Sequence, residues 1–93
     1  MFERILKQLR SLIRKRQYII TVHALEEMAE DDVLAEDIEN AILTGTIIER
    51  QVDRDTKERK YVLAGNDCSD ESVNIVLKVG PTGKAAIITV YRE

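Results

Sequence analysis

Tryptophan is missing from this 93-residue chain, and phenylalanine, proline, cysteine and histidine occur once each. With so few aromatic rings, the core has to be built from aliphatic side chains. The single cysteine, Cys68, excludes an internal disulfide and suits a reducing compartment such as the cytoplasm. One histidine and one distant cysteine make no paired ligand pattern. The acids Glu26, Glu27, Glu30 and Asp31 fall in a helical stretch rather than an Asp-rich calcium loop, so neither a metal nor another cofactor is expected. No apolar run approaches the length that spans a bilayer, and the opening MFERILKQLR is charged throughout, unlike a secretory signal. These absences lead to the expectation of a cytoplasmic chain without a membrane span.

At 44% hydrophobic and 33% charged, the composition is that of a globular protein, with room for one core and one domain over residues 1–93. The formal net charge of −3 gives no general case for nucleic-acid binding. That sum conceals a segregation. Residues 1–16 carry six basic side chains (Arg4, Lys7, Arg10, Arg14, Lys15, Arg16) against Glu3 alone, whereas residues 24–39 carry eight acids and no base. Opposite fields on two faces follow if the segments face different ways; two solvated helix faces are the plainer reading.

Phe2, Ile5, Leu6, Leu9, Leu12 and Ile13 recur at helical spacing and predict an amphipathic first helix. A membrane-surface helix has the same pattern, but packing on a core is the commoner use. QYII extends the chain towards the next helix start, where Thr21 reads as an N-cap and puts His23 in the first turn. Leu25, Met28 and Ala29 are the expected core face. EDDV breaks the pattern, and a third helix follows with Val33, Leu34, Ile38, Ala41 and Ile42 as its stripe, ending at Gly45. The period then changes to two. GTIIERQV, ERKYVLAG, SVNIVLKV and AAIITVY read as four strands separated by DRDTK, NDCSDE and GPTG. Apolar residues on both faces of the last strand make it interior, and Val73, Ile75, Leu77 and Val79 share one face of the third. The expected fold is α+β, with two to three N-terminal helices on a four-stranded, mostly antiparallel twisted sheet.

GPTGK, Gly80 to Lys84, lacks the spacing and the following Ser or Thr of a phosphate loop and reads as a hairpin turn. Cys68 sits among Asp67, Asp70 and Glu71, which raise a thiol pKa and make it a poor nucleophile. General acid–base cleavage of RNA by its own 2′-hydroxyl asks for less: a base, an acid and cations around the phosphate. The groups available for it are His23, Arg50, Arg54, Lys60, Tyr61, Lys78, Lys84, Tyr91 and Arg92. Most belong to the strand half, where alternation can gather several on one face. The plainer readings are solvated positions for the cations, packing for the tyrosines, and a structural role for a histidine whose protonated form a helix start disfavours.

HALEEM followed by DIENAILTGTIIER, KYVLAG and IITVY resembles the domain of unknown function 4258 family over about residues 18–92, leaving only the first helix outside. DRDTKERKY and GPTGK resemble one branch of it in particular. The resemblance implies a fold like that of the RelE/ParE toxins, and a toxin-like, metal-independent ribonuclease of a type II toxin–antitoxin module. It also implies an antitoxin-like partner with a zinc finger and a helix-turn-helix, and mRNA or the ribosome as target; a homodimer is compatible with it. The matching positions are His23, Met28, Arg50, Asp53, Lys60, Tyr61, Gly65, Lys78, Gly83, Lys84, Thr89 and Tyr91. On this reading His23, Lys60, Lys78 and Tyr91 are catalytic, with His23 or Tyr91 moving protons, and Arg50, Arg54, Tyr61, Lys84 and Arg92 hold substrate. Two departures weaken an RNA-holding role for the second helix: many relatives have arginine where this chain has Glu27, and a further basic residue near Asp31. Ala35 stands where a capping serine is common, a loss of about 1 kcal/mol at most. A non-catalytic interaction module on the same fold is the alternative.

Overall fold

The computed structural model describes residues 1–92. Chain order is α1 (Glu3–Arg14), β1 (Tyr18–Ile20), α2 (Val22–Glu30), α3 (Ala35–Thr44), β2 (Thr46–Val52), β3 (Arg59–Asn66), β4 (Ser72–Val79) and β5 (Ala85–Tyr91). The strands form one sheet in the order β1-β5-β4-β3-β2. β2 to β5 are antiparallel neighbours, whereas β1 runs parallel to β5, with Tyr18, Ile19 and Ile20 opposite Ala85, Ala86 and Ile87. The α+β class is as expected; the sheet has five strands instead of four because QYII pairs with the distant β5.

All three helices lie on one side of this sheet. Tyr61 and Leu63 of β3, Val73, Ile75 and Leu77 of β4, and Ala85, Ile87 and Val90 of β5 meet Leu9, Ile13, Ala24, Met28, Ile38, Ala41 and Ile42 in one core. Leu9 and Ile13 fasten α1 to it, at 0% and 2% exposure. A buried leucine cut to alanine costs about 2–5 kcal/mol, so α1 is an integral layer. Phe2 adds an edge-to-face contact with Tyr61, ring centroids 6.2 Å apart.

Thr21 caps α2 as expected: its Oγ1 accepts the Ala24 N–H at 3.2 Å. The same hydroxyl donates to Ile88 O at 3.2 Å, which fixes the rotation of the helix. Ala24 and Met28 therefore face the core, while Leu25 and Ala29 of the expected face are exposed. Leu34 is the N-cap of α3 and is 61% exposed rather than part of the stripe. Ala35 is thus the first helical residue, and the cap is supplied from the other direction: the Leu34 N–H donates to Asp37 Oδ2 at 2.8 Å.

Gly45 ends α3 in an extended conformation, so the left-handed cap is not its role. A Cβ there would stand 2.5 Å from Ala64 O and 2.6 Å from Ala41 O. Gly65 on β3 has the same constraint against the Ala41 carbonyl. The two glycines let α3 lie directly on β3. Arg10 of α1 then caps the helix end, donating from Nε to Ile42 O at 3.1 Å and from Nη2 to Gly45 O at 2.8 Å.

Candidate functional site

Among the described residues one face of the sheet carries no helix, and strand alternation decides what stands on it. Tyr61 pairs with Leu77 and both belong to the core, so the adjacent Lys60 and Lys78 project from the opposite face of neighbouring strands. Lys78 stands opposite Ala86, which in turn stands opposite Ile19. The next row is Glu49, Val62, Val76 and Thr89, and the row beyond it includes Ala64, Asn74 and Tyr91. Tyr91 joins this face because Ile88 is an extra residue in β5: Val76 pairs with Thr89 and Leu77 with Ile87. The extra residue keeps Ile87 and Val90 in the core and turns Thr89 and Tyr91 outward.

The floor is apolar and sheltered although no helix lies on it. Val62 and Ala86 are 4% and 7% exposed, and Asn74 only 2%. The lysines and Tyr91 sit two rows apart, about 13 Å along the strands at ~3.3 Å per residue. Such a face suits an extended ligand better than a compact one. Its cations are unequal. Lys78 Nζ donates to Glu58 Oε2 at 2.8 Å, whereas Lys60 has no carboxylate within salt-bridge distance among the described residues.

His23 stands beside this face, at the outer edge of β5. Its Nε2 is 3.4 Å from Glu27 Oε1, and that same oxygen accepts the Val90 N–H at 2.9 Å. The imidazole is exposed, with the Tyr91 end of β5 next to it through Glu27. Glu27, a departure in sequence, thus has a definite structural use.

The remaining sequence-derived candidates are dispersed. Tyr61 is buried in the core against Phe2. Arg50 pairs with Tyr61 and so projects from the helix side of the sheet, away from the lysines. Arg54 lies in the exposed β2–β3 turn, organised by Asp53 Oδ1, which accepts the N–H groups of Asp55 and Thr56 at 2.8 and 3.0 Å. Those bonds hold the Asp53 carboxyl below its usual range. Lys84 is exposed after the β4–β5 turn, where Gly83 takes φ +86°. That residue needs glycine, as a hairpin turn does.

Arg92 is occupied at the end of the sheet. Nη2 meets Asp67 Oδ2 at 2.9 Å, Nε donates to Asp31 O and Nη1 to Ser72 O, both at 3.2 Å. Asp67 Oδ1 also accepts from Ser69 and Glu71 N–H at 2.8 and 2.9 Å. Beside it Asp37 Oδ1 accepts the Cys68 N–H at 2.9 Å. Backbone donors, above all Cys68 for Asp37 and Glu71 for Asp67, hold both carboxyls below the usual value. Local burial and the Asp37 carboxylate push the Cys68 thiol up, away from nucleophilic chemistry. The cluster ties α2, α3, the β3–β4 loop and the end of β5 together. A second carboxylate contact, Tyr18 OH to Glu39 Oε2 at 2.6 Å, joins β1 to α3; burial and that neighbour push the phenol up to about 12.

Sequence reasoning missed Glu58 as the partner of Lys78, Asn74 opposite Tyr91, and the Asp37–Asp67–Arg92 cluster. Only Asp37 had a local signal, three residues after an N-cap position. Among the described residues, no group of His, Cys, Asp and Glu is arranged to hold a metal ion, and no helix is long and apolar enough to cross a membrane.

No curated protein and no solved structure matches the chain. The model of the family described as Domain of unknown function (DUF4258) matches residues 20–92, from the end of β1 past the end of β5, and the chain belongs to that family.

Proposed function

We propose that this protein is a toxin-like, metal-independent ribonuclease of a type II toxin–antitoxin module, with the helix-free sheet face as its reacting surface. The observation that carries the reading is the gathering of Lys60, Lys78 and Tyr91, with Thr89 between, on one face of three adjacent strands. The proposal takes the arrangement of helices on an antiparallel sheet as RelE/ParE-like. It assigns an antitoxin-like protein with a zinc finger and a helix-turn-helix as cognate partner, and mRNA, free or on the ribosome, as substrate.

In the proposed reaction a 2′-hydroxyl loses its proton to a base and attacks the adjacent phosphorus. The P–O5′ bond breaks, and the leaving oxygen takes a proton from an acid. Tyr91 and the neighbouring His23 are the acid–base candidates; Lys60 and Lys78 offset the charge that grows on the phosphate.

The test is expression with and without the antitoxin-like neighbour, reading growth and RNA integrity. Growth arrest with RNA fragments ending in 2′,3′-cyclic phosphate, relieved by the neighbour, is expected. Normal growth and intact RNA at high levels of folded protein would overturn the reading.

One observation favours a non-catalytic interaction module instead. Ile48 and Val52 are 56% and 51% exposed on β2, one of the two edge strands of the sheet among the described residues, an arrangement that accepts a strand from another chain. That reading predicts stable capture of the neighbour-encoded protein with no RNA cleavage.

A further inference from the structure

The basic residues in and just after α1 stand without carboxylate partners among the described residues. Lys78 and Arg92 are matched by carboxylates, yet none of Arg4, Lys7, Arg10, Arg14, Lys15 and Arg16 has one within salt-bridge distance among the described residues. Glu3, the only acid of the helix, is taken by the chain's own N-terminal ammonium at 2.8 Å. Lys7, Arg10 and Arg14 follow one another at helical spacing along a groove of about 440 Å³ that Glu3 and Leu6 complete. From Lys7 to Arg14 the helix advances about 10 Å at 1.5 Å per residue. The middle cation is held in place, because Arg10 is bonded to the carbonyls of Ile42 and Gly45. Its position in the groove therefore needs no ordering when a ligand arrives.

This groove runs into a second of the same volume, about 440 Å³, lined by Met1, Phe2, Leu6, Thr46 and Ile47; Glu3 and Leu6 belong to both. A stripe of cations beside a recess with an aromatic ring fits a single-stranded nucleic acid, whose phosphates need the first and whose bases need the second. An acidic helix fits less well, since it would dock through apolar anchors at successive turns, and the cationic stretch offers only Leu6. The α1 helix lies outside the family match, which begins at residue 20.

We propose that the groove along α1, built on Lys7, Arg10 and Arg14, binds the phosphate backbone of single-stranded RNA. The choice of RNA as the polyanion rests on the ribonuclease reading; the binding itself requires no cleavage. The groove supplies the attraction that a net charge of −3 does not.

The test uses the full chain and a fluorescently labelled 20-nucleotide single-stranded RNA, titrated by anisotropy between 50 and 200 mM salt. Lys7→Glu combined with Arg14→Glu changes two exposed positions and leaves the Arg10 cap of α3 intact, and an unchanged melting curve verifies the fold. A loss of affinity of at least tenfold at 50 mM salt is expected. The parallel Lys7→Gln/Arg14→Gln variant should reduce the log–log salt slope by about 1.4, roughly 0.7 for each phosphate contact on a single strand. Wild-type affinity in the charge-reversed variant would overturn the proposal, as would tighter binding of a 20-residue Glu-rich peptide than of the RNA. Lys60→Ala/Tyr91→Phe separates this proposal from the catalytic one. RNA that binds through α1 but is never cleaved upholds the groove and sinks the ribonuclease reading, whereas cleavage with binding indifferent to α1 does the reverse.

Discussion

Glu27 Oε1 receives the backbone N–H of Val90 at 2.9 Å, so a helix side chain takes up hydrogen bonding along β5 where β1 has ended. The last strand-like link from that side is the Thr21 N–H to Ile87 O at 3.1 Å. Beyond it a bare edge donor would face α2. Glu27→Ala should therefore cost about 1–3 kcal/mol, the scale for a buried donor left without its acceptor, and speed hydrogen exchange at Val90. Glu27→Gln keeps an acceptor and should lose less. Urea denaturation of both variants measures the difference, and equal midpoints would show that water replaces the carboxylate without loss.

Two glycines set the distance between α3 and β3. A methyl at position 65 is driven onto the Ala41 carbonyl, and one at position 45 falls between Ala64 O and Ala41 O. Backbone cannot yield as a side-chain tip can, so Gly65→Ala and Gly45→Ala are expected to destabilise by about 1–3 kcal/mol or more. Gly80→Ala is the control: its added methyl meets nothing closer than Lys84 O at 3.5 Å, an ordinary contact. Thermal melts of the three variants should separate the first two from the third.

Those glycines also show how the sequence could be read. Gly45 was legible as a helix stop, but its reason, close approach of another segment, depends on a partner twenty residues away. The four long strands were legible because β-branched residues alternate through them and turn residues punctuate them. β1 was not, since three residues carry no period and their partner is β5, near the other end of the chain. On α2, Leu25 is larger than Ala24 and drew the expected face one position round; the hold of Thr21 on Ile88 O decides otherwise. For the site, alternation alone separates Lys60 from Tyr61. The bonds that occupy Arg92 and Lys78 come from loops whose paths no local pattern specifies.

Acid should loosen the cluster at the end of the sheet first. Asp37 and Asp67 have folded-state pKa values below the ordinary 3.8. Their contribution to stability is therefore complete above that value and lost as pH falls from about 4 through the folded-state values. Asp37→Asn should flatten stability against pH in that window and lower it at pH 7, because the Leu34 and Cys68 N–H groups both lose a charged acceptor and one of them meets an amide NH2 instead. Denaturant midpoints at pH 7, 4 and 3 test this; parallel profiles for wild type and variant would contradict it.

Arg92 illustrates the difference between holding substrate and holding the fold. Its guanidinium meets Asp67 and the carbonyls of Asp31 and Ser72 together. Arg92→Lys cannot reproduce that fork, so both Arg92→Lys and Arg92→Ala should lower the melting temperature by several degrees. RNA affinity per folded molecule should stay within about twofold, the limit expected when no phosphate contact is lost. A drop in affinity at unchanged stability would instead make Arg92 a ligand contact.

The Glu58–Lys78 pair offers a gain-of-function test of the sheet face. At 2.8 Å the carboxylate neutralises the lysine that stands nearest to Lys60 across the strands. Lys78 is about a quarter exposed and Glu58 nearly half, so breaking the pair should cost the fold less than ~1 kcal/mol. Glu58→Gln removes one negative charge and frees the ammonium for a phosphate. If RNA lies on this face, affinity at 50 mM salt should rise severalfold and the salt slope should steepen by about 0.7, the increment for one added phosphate contact. Lys78→Ala in the same background should abolish the gain. The effect must also vanish at high salt, where screening removes the difference between one free cation and a neutral pair. An affinity indifferent to Glu58 would place the RNA elsewhere and leave Lys78 as a strand residue held by its neighbour.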